Sequence, residues 1–333
     1  MKRLSAFFAC MLYCCLPLYG SSLSFIIDND VLLDSDNAYT GGMLINWMSD
    51  EYSSPDASGF TRRYIEGYHD LLTPLSAPGI DRDHRNASIS LHQTIITPEE
   101  VNSTTPNYNG LPYVGILSLA FSYYAWDPDA FDEYRFLVGT IGPNAGAEST
   151  LKFVHDVTGH HAPQGWDNQM GNALFAGVGY MHGRKLWQRP IGGTMVFELF
   201  DSYNVDLGNH YAGANGGIDF RVGSNIPSAF YNAGTLLGIS HSRHLYDTPK
   251  PHKTGWSLHG GVCLNLIGYM KIIEDAKNLG YTIDDDPLFL SGSAGADLYI
   301  HRWQLSFDFF SSPLYTGKHS SGSWNRLTLT HYF

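Results

Sequence analysis

Cysteine is scarce in this 333-residue chain, and three of its four copies, Cys10, Cys14 and Cys15, fall within the first fifteen residues. Beyond that leader only Cys263 remains, so the rest of the chain forms no internal disulfide. Long apolar runs are missing too: after residue 20 no stretch approaches the roughly 20 residues that a membrane helix needs. Basic residues are few, 20 Lys and Arg against 32 Asp and Glu, for a formal charge of −12. That balance disfavours nucleic acid as a partner, whereas a divalent cation bridges such carboxylates to an anionic lipid. No linker, low-complexity run or shift in composition divides the chain, so one domain is expected.

What is present begins with the leader. Lys2 and Arg3 precede an apolar stretch from Ala6 to Leu18, followed by small Gly20, Ser21 and Ser22. A charged start, a short apolar core and small residues in that order read as a secretory signal peptide over residues 1–20, leaving residues 21–333 as the exported domain. No cysteine follows the cleavage box, which excludes a lipoprotein anchor. Without Lys2 and Arg3 the net charge becomes −14.

If the exported domain enters a membrane, it does so by strands, whose mark is alternation. Ala87, Ile89 and Leu91 share one face of a strand while Ser88, Ser90, His92 and Thr94 share the other. The pattern recurs where Trp256, Leu258, Val262, Leu264 and Leu266 alternate with Ser257, His259 and Asn265, and where Trp303, Leu305, Phe307 and Phe309 alternate with Gln304, Ser306 and Asp308. The chain holds 21 Tyr, 18 Phe and 7 Trp, enough for aromatic girdles at two membrane interfaces. Its last strand, 325–333, sets Leu327, Leu329, His331 and Phe333 against Thr328, Thr330 and Tyr332. A terminal Phe on an amphipathic strand resembles the signal that outer-membrane barrels present to the barrel-assembly machinery. The expected fold is therefore an all-β, transmembrane antiparallel barrel in the bacterial outer membrane. One segment breaks the strand rhythm: in 144–158, Leu151, Val154, His155 and Thr158 recur at helical spacing, with Pro143 before and Gly159 after.

Three chemistries compete for the polar residues. His155 on that helix reads as a general base or as a packed surface residue, and with His160 and His161 as a metal cluster, although the spacing matches no standard zinc pattern. A serine nucleophile would show a G-x-S-x-G elbow, and none occurs. The run Ile27-Asp28-Asn29-Asp30, with Asp34 and Asp36 behind it, supplies hard oxygen ligands that suit Ca²⁺, or simply turn-forming Asp and Asn in a solvated loop.

Three blocks in order carry a resemblance. Ser21-Ser22-Leu23 through Asn29-Asp30, then Asp36-Asn37-Ala38-Tyr39-Thr40-Gly41-Gly42, then Ile141-Gly142-Pro143-Asn144-Ala145-Gly146 leading to His155, Gly159, Trp166 and Gln169, resemble the lipid A 3'-O-deacylase family. The resemblance implies a barrel of about 12 strands in the outer membrane, with its active site between the wall and a short helix, acting on lipid A of lipopolysaccharide. It implies a catalytic set of His155, Asn29, Asp30 and Thr40, with His155 activating a water and Asp30 beside a bound Ca²⁺. An imidazole, at about 6.5 when unperturbed, suits that role. The chain departs from the family pattern twice. Residues 98–112 contain no Lys or Arg where the family has an active-site lysine, and His161 stands where it has a glutamate; Lys152, and Asp156 or Asp167, are the nearby alternatives. Strict alternation also sets Asn29 and Asp30 on opposite faces, so both reach one site only through a bulge or turn. An outer-membrane phospholipase and a non-enzymatic pore or adhesin are the rival readings.

Overall fold

The computed structural model describes residues 22–29, 39–98, 103–159, 163–227, 229–231, 243–245, 254–283, 286–312 and 322–333. The leader at 1–20 therefore lies outside the described residues, as do Asp30, Asp34, Asp36, His160 and His161. The strands are β1 (Ser22–Asn29), β2 (Tyr39–Met48), β3 (His84–Ile96), β4 (Val114–Trp126), β5 (Ala130–Ile141), β6 (Ala173–Gly192), β7 (Met195–Gly208), β8 (Tyr211–Ser224), the short β9 (Ala229–Tyr231) and β10 (Arg243–Leu245), then β11 (Thr254–Met270), β12 (Leu288–Ile300), β13 (Trp303–Ser312) and β14 (Gly322–Tyr332). All but β9 and β10 join one closed barrel of twelve antiparallel strands, as the alternation requires. Closure is made by β14 against β1, in register from Ser22↔Tyr332 to Asn29↔Asn325. A closed sheet leaves no unpaired edge, the condition for a strand to sit in hydrocarbon.

The alternation sorts side chains as expected. Leu258, Val262, Leu264 and Leu266 are exposed on the outer surface, while Ser257, His259, Cys263 and Asn265 are buried in the lumen. The lumen is a polar core held by ion pairs and hydrogen bonds: Arg326 clasps Asp28 at 2.7 and 2.8 Å, Arg135 meets Asp206 at 2.6 Å, and His259 Nε2 is hydrogen-bonded to Asp308 at 2.8 Å. Charges removed from water in this way are tolerable only because they are paired. Both mouths carry apolar stoppers. At one end Ile272, Ile273 and Ala276 pack with Ile96, Val114 and Trp324; at the other, Phe230 packs with Phe131, Met181 and Phe200. A barrel filled in this manner is poorly suited to conduct solutes.

Connections differ at the two ends. At the end carrying β1's start and β14's finish, three of the five links are tight turns of two or three residues (127–129, 193–194 and 301–302) and two are long (49–83 and 225–253), whereas at the opposite end only 209–210 is tight and the other links run from 9 to 31 residues. Short turns face the periplasm and long loops the exterior in outer-membrane barrels, which sets the orientation. Strands of 20 and 17 residues, β6 and β11, exceed the bilayer length expected from the sequence. The extra length of β6 lies beyond Arg184, the partner of Ala130 at the start of β5, in a β6–β7 hairpin that outruns its neighbour.

Among the described residues three α-helices decorate the barrel, two more than the sequence rhythm predicts. Helix α1 (Gly59–Leu72) lies on the outer wall near the periplasmic end, α2 (Ala147–Thr158) near the external end, and α3 (Lys271–Asn278) belongs to the external stopper. Helix α1 starts at Ser58, whose hydroxyl accepts from the Thr61 amide at 3.1 Å. It buries Ile65 and Leu72 against Ala87, Tyr123 and Ala125, which at about 1.5–3 kcal/mol per fully buried aliphatic side chain is enough to fix it to the wall.

Candidate active site on the outer wall

The site grows from a row of paired backbones. Asn29 of β1 pairs with Gly41 of β2, Gly41 with Ile95 of β3, and Ile95 with Gly115 of β4. At about 4.8 Å per strand this row crosses some 14 Å of wall, close to the external end. Register slips between Tyr39 and Gly41 on β2, so Thr40 is the extra residue of a bulge. A bulge re-aims a side chain out of strict alternation, and bulges gather beside active sites. The strand register thus brings Asn29 and Thr40 onto adjacent backbone positions. Asp30 follows directly from Asn29 but lies outside the described residues.

Helix α2 is laid over this row by the glycine motif before it. Gly142 takes φ 93° and Gly146 φ 70°, conformations that residues with a Cβ avoid. Between them Pro143–Ala145 forms one turn of 3-10 helix. The expected helix over 144–158 therefore begins at Ala147, because left-handed Gly146 interrupts it, and it ends at Gly159, whose amide bonds the His155 carbonyl at 2.8 Å. The approach to the wall is close: a Cβ on Gly115 would lie 2.6 Å from that of Ala147. Gln93, on β3, donates to the Ala145 carbonyl at 2.6 Å and pins the loop. Below, Trp166 and Tyr113 form the floor with Ile95 and Leu151, their rings 4.7 Å apart. Burial raises the Tyr113 phenol above its ordinary range, which keeps it neutral there.

His155 is placed by helical spacing. Ala147 and Leu151 are buried against the wall, and His155, one further turn along the same stripe, is half-buried. The 143–145 turn touches β4 and β5, and α2 touches β4 and β3. The helix therefore advances across the wall from β5 toward β2 and β1, carrying His155 in the direction of Thr40 and Asn29. Lys152 points away, exposed and paired with Glu148 at 2.5 Å, and Asp156 and Asp167 are exposed. Gln93 was missed by sequence reasoning, yet it carries a signal: it is a polar side chain on the Leu91 face, where lipid-facing residues belong.

Among the described residues no group of three or more His, Cys, Asp or Glu is gathered as a metal site. Hard oxygen donors are concentrated in the connection from β1 to β2, which holds Asp30, Asp34 and Asp36 and leaves and rejoins the wall beside Thr40.

These features are those of an outer-membrane β-barrel that carries a histidine-bearing helix on its outer wall. The chain belongs to the LpxR family of outer membrane proteins: the family model described as outer membrane protein LpxR matches residues 5–333. It is the family to which the three sequence blocks point. LpxR from Salmonella typhimurium has the same fold, with a TM-score of 0.72 at 15% identity over 94% of this chain and 100% of that one. The beta domain of the Bordetella autotransporter BrkA aligns at a TM-score of 0.44 and 10% identity, over 94% of this chain and 99% of that one. No curated protein matches the chain by sequence.

Proposed function

We propose that this protein is a calcium-dependent esterase that removes the 3'-linked acyloxyacyl group of lipid A in the outer leaflet. The observation that carries the reading is α2 itself. A helix bearing His155 on its wall-facing stripe is laid across β4 and β3, toward the bulge at Thr40 and the end of β1 at Asn29. Membership of the LpxR family and the place of α2 in a long connection at the end away from β1's start support the same substrate.

In this reading His155 takes a proton from a water as that water attacks the ester carbonyl, then returns it to the departing oxygen. General-base assistance of this kind contributes about 10²- to 10⁴-fold. Asn29 and Thr40 offer amide and hydroxyl donors to the oxyanion that develops. The donor chemistry of the β1–β2 connection fits a hard cation, with Asp30 as the assigned ligand. When bound, Ca²⁺ supplies positive charge beside the carbonyl oxygen. Helix α2 holds the ester against the wall and limits water to the attacking molecule.

The test is hydrolysis by the purified protein in detergent, with and without Ca²⁺, on lipid A and on a glycerophospholipid. The reading expects loss of a 3'-linked acyloxyacyl unit from lipid A only, and only with the cation present. Hydrolysis of the glycerophospholipid alone would transfer the site to phospholipase chemistry, and activity on neither lipid would leave a non-enzymatic barrel.

A further inference from the structure

Helix α1 presents a second surface that the hydrolase reading does not use. Its residues divide among three sectors at helical spacing. Thr61, Ile65 and Leu72 face the wall and are buried. Phe60, Tyr64 and Leu71 recur along one flank, where Phe60 is 58% and Leu71 65% exposed, and Leu75 just beyond is 70% exposed. Arg62, Glu66 and Asp70 occupy the other flank, exposed as well. A helix whose wall side is satisfied, and whose two free flanks differ so sharply in polarity, has a defined up and down.

The contacts say which flank is which. On the apolar flank Phe60 packs 6.2 Å from Trp47, the cross-strand partner of Ile89, and the Tyr64 hydroxyl reaches the Ser88 carbonyl at 3.3 Å. The hydroxyl of Tyr68 reaches the carbonyl of Phe121, also opposite Ile89, at 2.8 Å. On the charged flank Glu66 accepts from Tyr52, whose backbone amide bonds Arg85, near the periplasmic start of β3. The apolar flank therefore touches the wall some three to four residues deeper along β3, roughly 10 Å toward the bilayer centre. It is also continuous with the lipid-facing belt. From Trp47 and Phe60 a run of neighbouring aromatic rings passes through Tyr64, Tyr68 and Tyr123 and continues round the outer wall to Tyr203, with centroids 5.2 to 6.4 Å apart. Such a girdle marks the membrane–water interface.

We propose that α1 is an in-plane interfacial helix that binds inner-leaflet glycerophospholipid, its Phe60–Leu71 flank among the upper acyl carbons and its Arg62–Glu66–Asp70 flank in periplasmic water. Amphipathic helices lie in an interface when an apolar flank can enter the acyl boundary while charges stay hydrated. Here the wall supplies the third face, so the helix needs no folding transition on the membrane. The inference stands independently of the reaction catalysed on the opposite side of the bilayer.

The test uses the unmodified full chain in vesicles of phosphatidylethanolamine and phosphatidylglycerol doped with an acyl-chain diazirine phospholipid. After irradiation and peptide mapping, adducts are expected on Phe60, Leu71 and Leu75 at the level seen on Leu258 and Val262 of the lipid belt, and severalfold fewer on Glu66 and Asp70. A second reading places an environment-sensitive fluorophore at Leu71→Cys or Glu66→Cys in a Cys263→Ala background. Position 71 should be quenched by nitroxide lipid and position 66 by aqueous iodide. Equal labelling of both flanks, equal iodide access at 71 and 66, or Phe60–Leu75 crosslinked chiefly to a second copy of the chain would overturn the proposal.

Discussion

The barrel carries one helix on its outer wall at each membrane interface, and the two are attached in opposite ways. Helix α1 is locked by a side-chain cap at Ser58 and by tyrosine hydroxyls bonded to strand carbonyls, and its wall-facing side is fully used for packing. Helix α2 has no side-chain cap; it begins from a left-handed glycine, is pinned through Gln93, and keeps a half-buried histidine on the stripe that meets the wall. Helix α1 closes its wall-facing stripe with Thr61, Ile65 and Leu72, whereas the α2 stripe is buried at Ala147 and Leu151 and opens at His155. The contrast teaches that position on the wall alone does not make a site. What distinguishes α2 is the titratable group on its inner stripe and the bulged strand ahead of it.

The largest effect is expected from the cation: excess chelator should reduce deacylation by wild-type protein to background and added Ca²⁺ should restore it, with Asp30→Ala equally inactive in either condition. Full activity in chelator would leave Asn29 and Thr40 as the whole of the charge stabilisation. Next comes Gly115→Ala. The added Cβ, 2.6 Å from that of Ala147, must push α2 outward, and since a misplacement of about 1 Å can cost about 10²-fold in rate, turnover should fall on that scale while the barrel remains heat-modifiable on gels. A smaller loss is expected for Gln93→Leu, which removes the bond to the Ala145 carbonyl. A net contribution of about 1 kcal/mol for such a bond corresponds to roughly fivefold in the population of the seated loop, measurable as a proportional drop in turnover and faster proteolysis within 142–158. The smallest effect should come from the other helix: Ser58→Ala costs about 1 kcal/mol of α1 stability, seen as faster amide exchange in 59–72, with deacylation unchanged.

The same contrast explains what could be read from the residues beforehand. The barrel was legible because period-2 alternation at 87–94, 256–266 and 303–309 reports a wall with different solvents on its two sides. Helix α2 was legible because Pro143 and Gly159 bracket a run at helical spacing, although its first turn was displaced by the left-handed Gly146. Helix α1 carries a signal of its own that went unread, with Phe60, Tyr64, Ile65, Tyr68, Leu71 and Leu72 on one side at helical spacing and Arg62, Arg63, Glu66 and Asp70 on the other. Helix α3 has only eight residues, too few to show a period against the strands around it. Within the candidate site, His155 was visible by its helix and Asn29 by its place in the polar run 27–30, but catalytic roles for Asn29 and Thr40 came only from the resemblance. Alternation alone cannot place them together, since the bulge at Thr40 that breaks it leaves no mark in composition. Gln93 left such a mark, a polar residue on the lipid-facing parity.

The proposed hydrolysis depends above all on His155 of α2 as general base, and His155→Gln removes that base. Glutamine keeps the bulk and a hydrogen-bonding group but accepts no proton, so the barrel should assemble with normal heat-modifiable migration. Mass spectrometry of lipid A treated with the purified variant should then show loss of the 3'-linked acyloxyacyl unit slowed by about 10²- to 10⁴-fold against wild type, at equal Ca²⁺. Deacylation near the wild-type rate by a correctly assembled His155→Gln protein would contradict the account and move the search for the base to His160 and His161.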